Sequence, residues 1–281
     1  MNKMLAYVKI IRPINSIMMG LGVVFSEIIA LKSLPPFKIL LCGFGSGFFL
    51  TAASMIINDI YDREIDIINA PNRPIPSGLV SIKEAWSYGA LLTGAGIISA
   101  YLINIYCFVI AIISLLISLI YNMRFKKYGL IGNFMVSFCV AVPFLFGNYA
   151  VSGESVLLNV FSLVAFLVNT GREVIKGIAD VEGDIKRDVR SIARVYGNRT
   201  AILVAIVFFT ISIPIVFIPV LYSWVSLYYL LIIVFPVIGL IYESYTLLRK
   251  YDVKSVLKSK NRMLIYMLLA LIAVLIGGYY E

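Results

Sequence analysis

Histidine is absent from the chain, so imidazole acid–base catalysis and imidazole metal ligation are both excluded. Cysteine is scarce: Cys42, Cys107 and Cys139 stand far apart inside apolar runs. They read as small buried hydrophobes, not as a disulfide framework or a thiolate metal site. Charge is scarce as well, at 14% of residues against about 25% in an average soluble domain. The amino terminus shows neither the short apolar stretch nor the small-residue cleavage site of a signal peptide; Lys9 and Arg12 precede a first long apolar run.

What the chain has in quantity is hydrophobicity, 61% of 281 residues. Apolar runs fall at Ile14–Leu31, Ile39–Ile57, Trp86–Ile103, Ile105–Tyr121, Leu130–Val151, Val156–Thr170, Ala201–Leu221, Trp224–Leu247 and Met263–Tyr279. Each is near the ~20 residues a helix needs to cross the hydrocarbon core. Joined into one helix, residues 86–121 would reach ~54 Å at ~1.5 Å per residue, so a reversal is expected at Asn104. The fold class read from this pattern is an all-α polytopic membrane protein, a single domain of nine transmembrane helices.

Charge orients those spans. Of 24 Lys and Arg residues, 22 lie before span one or in the loops after spans two, four, six and eight; only Lys32 and Lys38 fall on the other side. By the positive-inside rule this puts the amino terminus and the long loops in the cytoplasm and the carboxyl terminus on the opposite side of the cell membrane. No nucleic-acid partner is expected.

Acidic residues are concentrated too. The windows 58–66 and 180–188 hold eight of the fifteen Asp and Glu residues, each directly after an apolar run. Carboxylates are costly beside a membrane unless solvated, paired or metal-bound. If the second span continues as helix, Asn58, Asp62 and Asp66 fall at i, i+4 and i+8, with Asp59 bordering the stripe; Asp180, Asp184 and Asp188 repeat that spacing. Two acid stripes at span ends would repel unless a divalent cation joined them. All-oxygen ligation favours Mg²⁺, which takes one or two carboxylates and fills its shell with water and substrate phosphate. The metal-ligand candidates are therefore Asp59, Asp62, Asp66, Asp180, Asp184 and Asp188.

Basic residues flank both windows. Arg63 lies inside the first and Arg73 follows it; Arg172 and Lys176 precede Asp180 by eight and four positions. Tyr121 and Lys126 close the fourth span, and Arg12, with Pro13 and Asn15, opens the first. Cations beside metal-binding carboxylates form a clamp for a diphosphate. A cation-coupled transporter is the alternative of another class, since intramembrane acids also serve as ion sites.

With its nine spans, the Asn58-Asp59-x-x-Asp62-x-x-x-Asp66 motif, the Asp180-x-x-x-Asp184-x-x-x-Asp188 motif and the Tyr121–Lys126 segment, the chain resembles the UbiA-type intramembrane prenyltransferases over nearly its whole length. The resemblance implies a helical bundle around a central cavity that opens to lipid. Mg²⁺ would bridge the aspartates and an isoprenyl diphosphate donor, with Asp62, Asp66, Asp180, Asp184 and Lys126 as catalytic residues. Arg12, Asn15, Asn58, Arg63, Arg73, Tyr121, Arg172 and Lys176 would be substrate-binding. Residues 171–184 are most similar to the archaeal ether-lipid branch, which joins geranylgeranyl diphosphate to the hydroxyl of geranylgeranylglyceryl phosphate. That implies a lipid-phosphate acceptor. Aromatic acceptors of the 4-hydroxybenzoate or naphthoate type, used by quinone-pathway relatives, are the alternative. Glu64 and the released pyrophosphate are the candidate proton acceptors.

Overall fold

The structure, a computed structural model, describes residues 2–186 and 188–279; Arg187, counted above among the basic residues, lies outside them. The described residues form thirteen α-helices: α1 (Lys3–Ile10), α2 (Pro13–Leu31), α3 (Phe37–Tyr61), α4 (Arg63–Asn69), α5 (Ile82–Ile103), α6 (Ile105–Met123), α7 (Leu130–Val151), α8 (Val156–Ala179), α9 (Val181–Lys186), α10 (Ile192–Tyr196), α11 (Asn198–Leu221), α12 (Leu227–Arg249) and α13 (Val253–Tyr279). Among them α2, α3, α5, α6, α7, α8, α11, α12 and α13 are long and apolar enough to cross a membrane. The chain is a multi-pass membrane protein.

Polar side chains set several helix ends. Asn2 accepts the Leu5 N–H at the start of α1, and Ser81 and Glu84 form a reciprocal capping box on α5. Asn104 is fully extended between α5 and α6; its side chain accepts the Cys107 N–H at 2.8 Å and donates to the Tyr149 carbonyl at 2.8 Å. The reversal expected there is thus built by one asparagine that caps the outgoing helix and ties it to α7.

Two compact units divide the chain: Met1–Arg124 with Val142–Glu154, and Phe125–Ala141 with Ser155–Glu281. In the first, α3 packs against α2, α5 and α6. One core cluster there joins Ala6 and Ile10 of α1, Ala52, Ala53 and Ile56 of α3, and Ala85 and Leu92 of α5 to Ile75 and Val80 from the α4–α5 connection. That connection is therefore pinned to the core by two buried aliphatic side chains. In the second unit α8 is the central element, with two thirds of its span buried against α11 and α13.

At the far end of α13 the backbone of Gly277 lies against α12, and its carbonyl accepts the Ser226 N–H at 3.0 Å. A Cβ there would meet Tyr229 Cβ at 2.3 Å and its Cα at 2.9 Å. Tyr229 is fully buried, and its hydroxyl donates to the Val216 carbonyl at 2.7 Å. Neither partner can retreat, so Gly277→Ala is expected to destabilise by about 1–3 kcal/mol, read as a lower unfolding midpoint in detergent.

Candidate active site

The first acidic window belongs to the first unit. Helix α3 runs four residues past the apolar run and carries Asn58 and Asp59 within it. Asp62 interrupts the helix between α3 and α4, yet its N–H bonds the Asn58 carbonyl at 2.9 Å and the Asp66 N–H bonds the Asp62 carbonyl at 2.9 Å. The expected i, i+4, i+8 stripe thus survives the junction. Asp59, Asp62 and Asp66 are buried, at 4%, 7% and 2% exposure. Three buried acids within eight residues demand counter-charge.

Two arginines supply it. Arg12 Nη2 donates to Asp59 Oδ1 at 2.7 Å, and Arg73 Nη1 donates to Asp66 Oδ2 at 2.5 Å while standing 3.6 Å from Asp59 Oδ1. Arg12 reaches Asp59 from a left-handed backbone (φ 46°, ψ 69°) directly before Pro13, a region disfavoured for L residues and more so before proline. Buried Ile10 and Ile11, and the Ser16 hydroxyl donating to the Ile11 carbonyl at 2.8 Å, hold that turn. Arg73 is returned to the helix ends because Ile75 and Val80 anchor its loop. Arg63, Glu64 and Asn15 are exposed.

Asn58 donates from its amide to Asn122 Oδ1 at 2.9 Å; one turn earlier the Ser54 and Ser118 hydroxyls bond each other at 2.6 Å. Asn122 was missed by the sequence reading. Its signal was present: Ser-x-x-x-Asn occurs at 54/58 and at 118/122, across the ends of the second and fourth apolar runs, spacing that stacks two polar side chains on one face of each helix.

The second window belongs to the second unit. Asp180 ends α8, and the Asp184 N–H bonds its carbonyl at 2.8 Å, so these two acids keep the one-turn relation. Asp188 does not. Helix α9 ends at Lys186 and Asp188 adopts a left-handed conformation (φ 49°) with its side chain 74% exposed. The equal spacing of the three acids therefore does not translate into one stripe, because the helix stops before the third. Arg194, also missed, donates to Asp188 Oδ1 and to the carbonyls of Asp184 and Val189.

Arg172 and Lys176 share a partner overlooked in the sequence: Glu173 accepts from Arg172 Nη1 at 3.0 Å and from Lys176 Nζ at 3.2 Å. Arg172 also donates from Nε to the Lys260 carbonyl at 3.4 Å. Tyr121 sits in the last turn of α6, and Lys126 in the 3₁₀ turn Phe125–Lys127 that follows. That turn is fixed to the second window's loop, where the Arg190 N–H donates to the Lys127 carbonyl at 2.9 Å. Gly129 (φ +48°) allows the approach, since a Cβ there would lie 2.3 Å from the Arg190 carbonyl oxygen.

Among the described residues no three acids close on one point as a ready-made metal cage. Within each unit the acids one turn apart, Asp62 with Asp66 and Asp180 with Asp184, offer oxygen donors alone, the kind a Mg²⁺ ion completes with water and phosphate oxygens. A soft or imidazole-preferring metal finds nothing comparable.

The sequence profile of the UbiA prenyltransferase family matches residues 20–278. Digeranylgeranylglyceryl phosphate synthase of Thermococcus kodakarensis is 34% identical over 97% of this chain and 98% of its own. The enzyme of the same name from Methanosphaera stadtmanae is 33% identical with the same coverage. A solved digeranylgeranylglyceryl phosphate synthase structure superposes with a TM-score of 0.89 at 31% identity, covering all of both chains. A UbiA homologue from Archaeoglobus fulgidus bound to GPP and Mg²⁺ shares the fold, with a TM-score of 0.72 at 16% identity over 96% of this chain and 99% of that one. Profile, near-full-length relatives and fold agree with the buried acids and their arginines: the chain belongs to the UbiA prenyltransferase family.

Proposed function

We propose that the protein is a digeranylgeranylglyceryl phosphate synthase, transferring a geranylgeranyl group from geranylgeranyl diphosphate to the free hydroxyl of geranylgeranylglyceryl phosphate. The observation that carries the reading is the near-full-length similarity to enzymes of that name. The allylic C1–O bond of the donor breaks and pyrophosphate leaves; the acceptor oxygen bonds C1, and its proton departs with the pyrophosphate. The acids of each unit, Asp62 and Asp66 in the first and Asp180 and Asp184 in the second, would hold Mg²⁺, which would supply Lewis acidity toward the leaving oxygens.

The chain's own residues do the rest. Arg73, Lys126, Arg172 and Lys176 bind phosphate oxygens and stabilise the charge that develops on them. Arg12 meets Asp59 and holds the first window in place, and Asn122 sets the amide of Asn58. Tyr121, Arg63 and Asn15 complete the substrate contacts. Asp59, bonded to Arg12, and Asp188, bonded to Arg194, are the outer members of the metal set. The basic residues orient the amino terminus and the acid-bearing loops toward the cytoplasm and the carboxyl terminus away from it.

The test offers geranylgeranylglyceryl phosphate and 4-hydroxybenzoate in turn to purified protein with geranylgeranyl diphosphate and Mg²⁺, and reads pyrophosphate release and product mass. Ether product with the lipid phosphate alone is expected. Product with the aromatic acid alone would move the enzyme to the quinone-type branch, and donor-independent flux across vesicles would favour a transporter.

A further inference from the structure

The loop that follows the second acidic window is gathered by one side chain from outside it. Arg194, in α10, donates through Nη1 to the carbonyls of Asp184 at 3.2 Å and Val189 at 2.9 Å. Nη1 and Nη2 both reach Asp188 Oδ1 at 3.2 Å. The guanidinium thus spans the window from Asp184 to Asp188. Asp184 is fixed at three points: its N–H to Asp180, and its carbonyl to the Val189 N–H at 2.9 Å and to Arg194. Beyond Arg194 the loop is held independently, by the Arg190 bond to Lys127 and the packing of Ser191 against Gly177 of α8.

The energetics separate two roles for this arginine. Asp188 is mostly exposed, and an exposed ion pair adds little to stability. The backbone bond at Arg190 and the close approach of Ser191 to Gly177 remain without Arg194, so its loss frees the window's end and not the unit. What the fork contributes is geometry: one planar group meeting three acceptors, which a lysine ammonium cannot reproduce. We propose that Arg194 is a positioning residue for the diphosphate-binding acids, fixing Asp184 and Asp188 so that they meet the metal-bound donor without rearrangement. This rests on the reading of the second window given above.

The test compares Arg194→Ala, Arg194→Lys and Asp184→Ala with the parent protein. Two readouts are independent of the folded fraction: Mn²⁺ binding in the presence of inorganic pyrophosphate, followed by electron paramagnetic resonance, and the KM values for donor and acceptor. Arg194→Ala is expected to weaken Mn²⁺ binding and raise the donor KM by about 10-fold or more, the scale of an outer-shell substitution. The acceptor KM and the unfolding midpoint should stay near parental values, and Arg194→Lys should fall between. Parental Mn²⁺ affinity and donor KM in Arg194→Ala, with Asp184→Ala defective, would overturn the proposal alone. Parental values in Asp184→Ala would overturn the reading of the window beneath it. If Arg194→Ala does not fold, Arg194→Lys decides: no change in either readout overturns the proposal.

Discussion

Asp62→Ala and Asp184→Ala should each lower kcat/KM by about 10³-fold or more while leaving a folded helical protein. Each removes an oxygen donor from a different acid window, and loss of a metal or charge-stabilising contact at a reacting diphosphate is worth several kcal/mol, at about 1.4 kcal/mol per decade. Backbone bonds that alanine keeps hold the chain at both positions. Asp62 sits at a helix junction whose continuity depends on backbone bonds to Asn58 and Asp66. Asp184 is anchored through its N–H and carbonyl, which alanine keeps. Circular dichroism and the unfolding midpoint serve as the control, and pyrophosphate release as the assay. Parental turnover in both variants would remove the acid windows from the chemistry.

The spans could be read from sequence because hydrophobic length is imposed residue by residue by the bilayer. Their ends could not. Helix α8 continues nine residues beyond Thr170, through Arg172, Glu173 and Lys176, and α13 begins ten residues before Met263. Backbone hydrogen bonding does not end where apolar side chains do. Helix α1 was also invisible as a separate element: what divides it from α2 is the left-handed Arg12 before Pro13, a backbone conformation that composition does not encode.

The site divides the same way. The windows and their one-turn spacings were legible because they are local. The partners were not: Arg12 meets Asp59 across 47 positions and Asn58 meets Asn122 across 64. Pairing at such separation is decided by which helices pack, and a single sequence does not show that. The failure at Asp188 is the converse case. Its spacing was right, but the chain leaves the helix before it, so periodicity outran the secondary structure it assumed.

Arg73→Gln should lower both activity and stability, and the two losses should respond differently to a second change. Arg73 is the cation bonded to Asp66, and it also stands near Asp59. Its removal leaves Asp59 with Arg12 but strips Asp66, a carboxylate 3% exposed at its side chain. Breaking a fully buried pair costs about 3–5 kcal/mol. Because Arg73 is itself 37% exposed, solvent screening reduces the expected loss to about 1–3 kcal/mol. Turnover should fall by about 10²–10³-fold, the scale for one lost donor to developing negative charge. Adding Asp66→Asn removes the stranded charge, so stability should recover while activity stays low. Mg²⁺ provides an independent check, because Arg73 holds Asp66, one of the acids proposed to hold the metal. Without that competition, Mg²⁺ should raise the unfolding midpoint of Arg73→Gln more than that of the parent. An unchanged midpoint together with parental turnover would show that the Arg73–Asp66 pair neither supports the site nor meets the substrate.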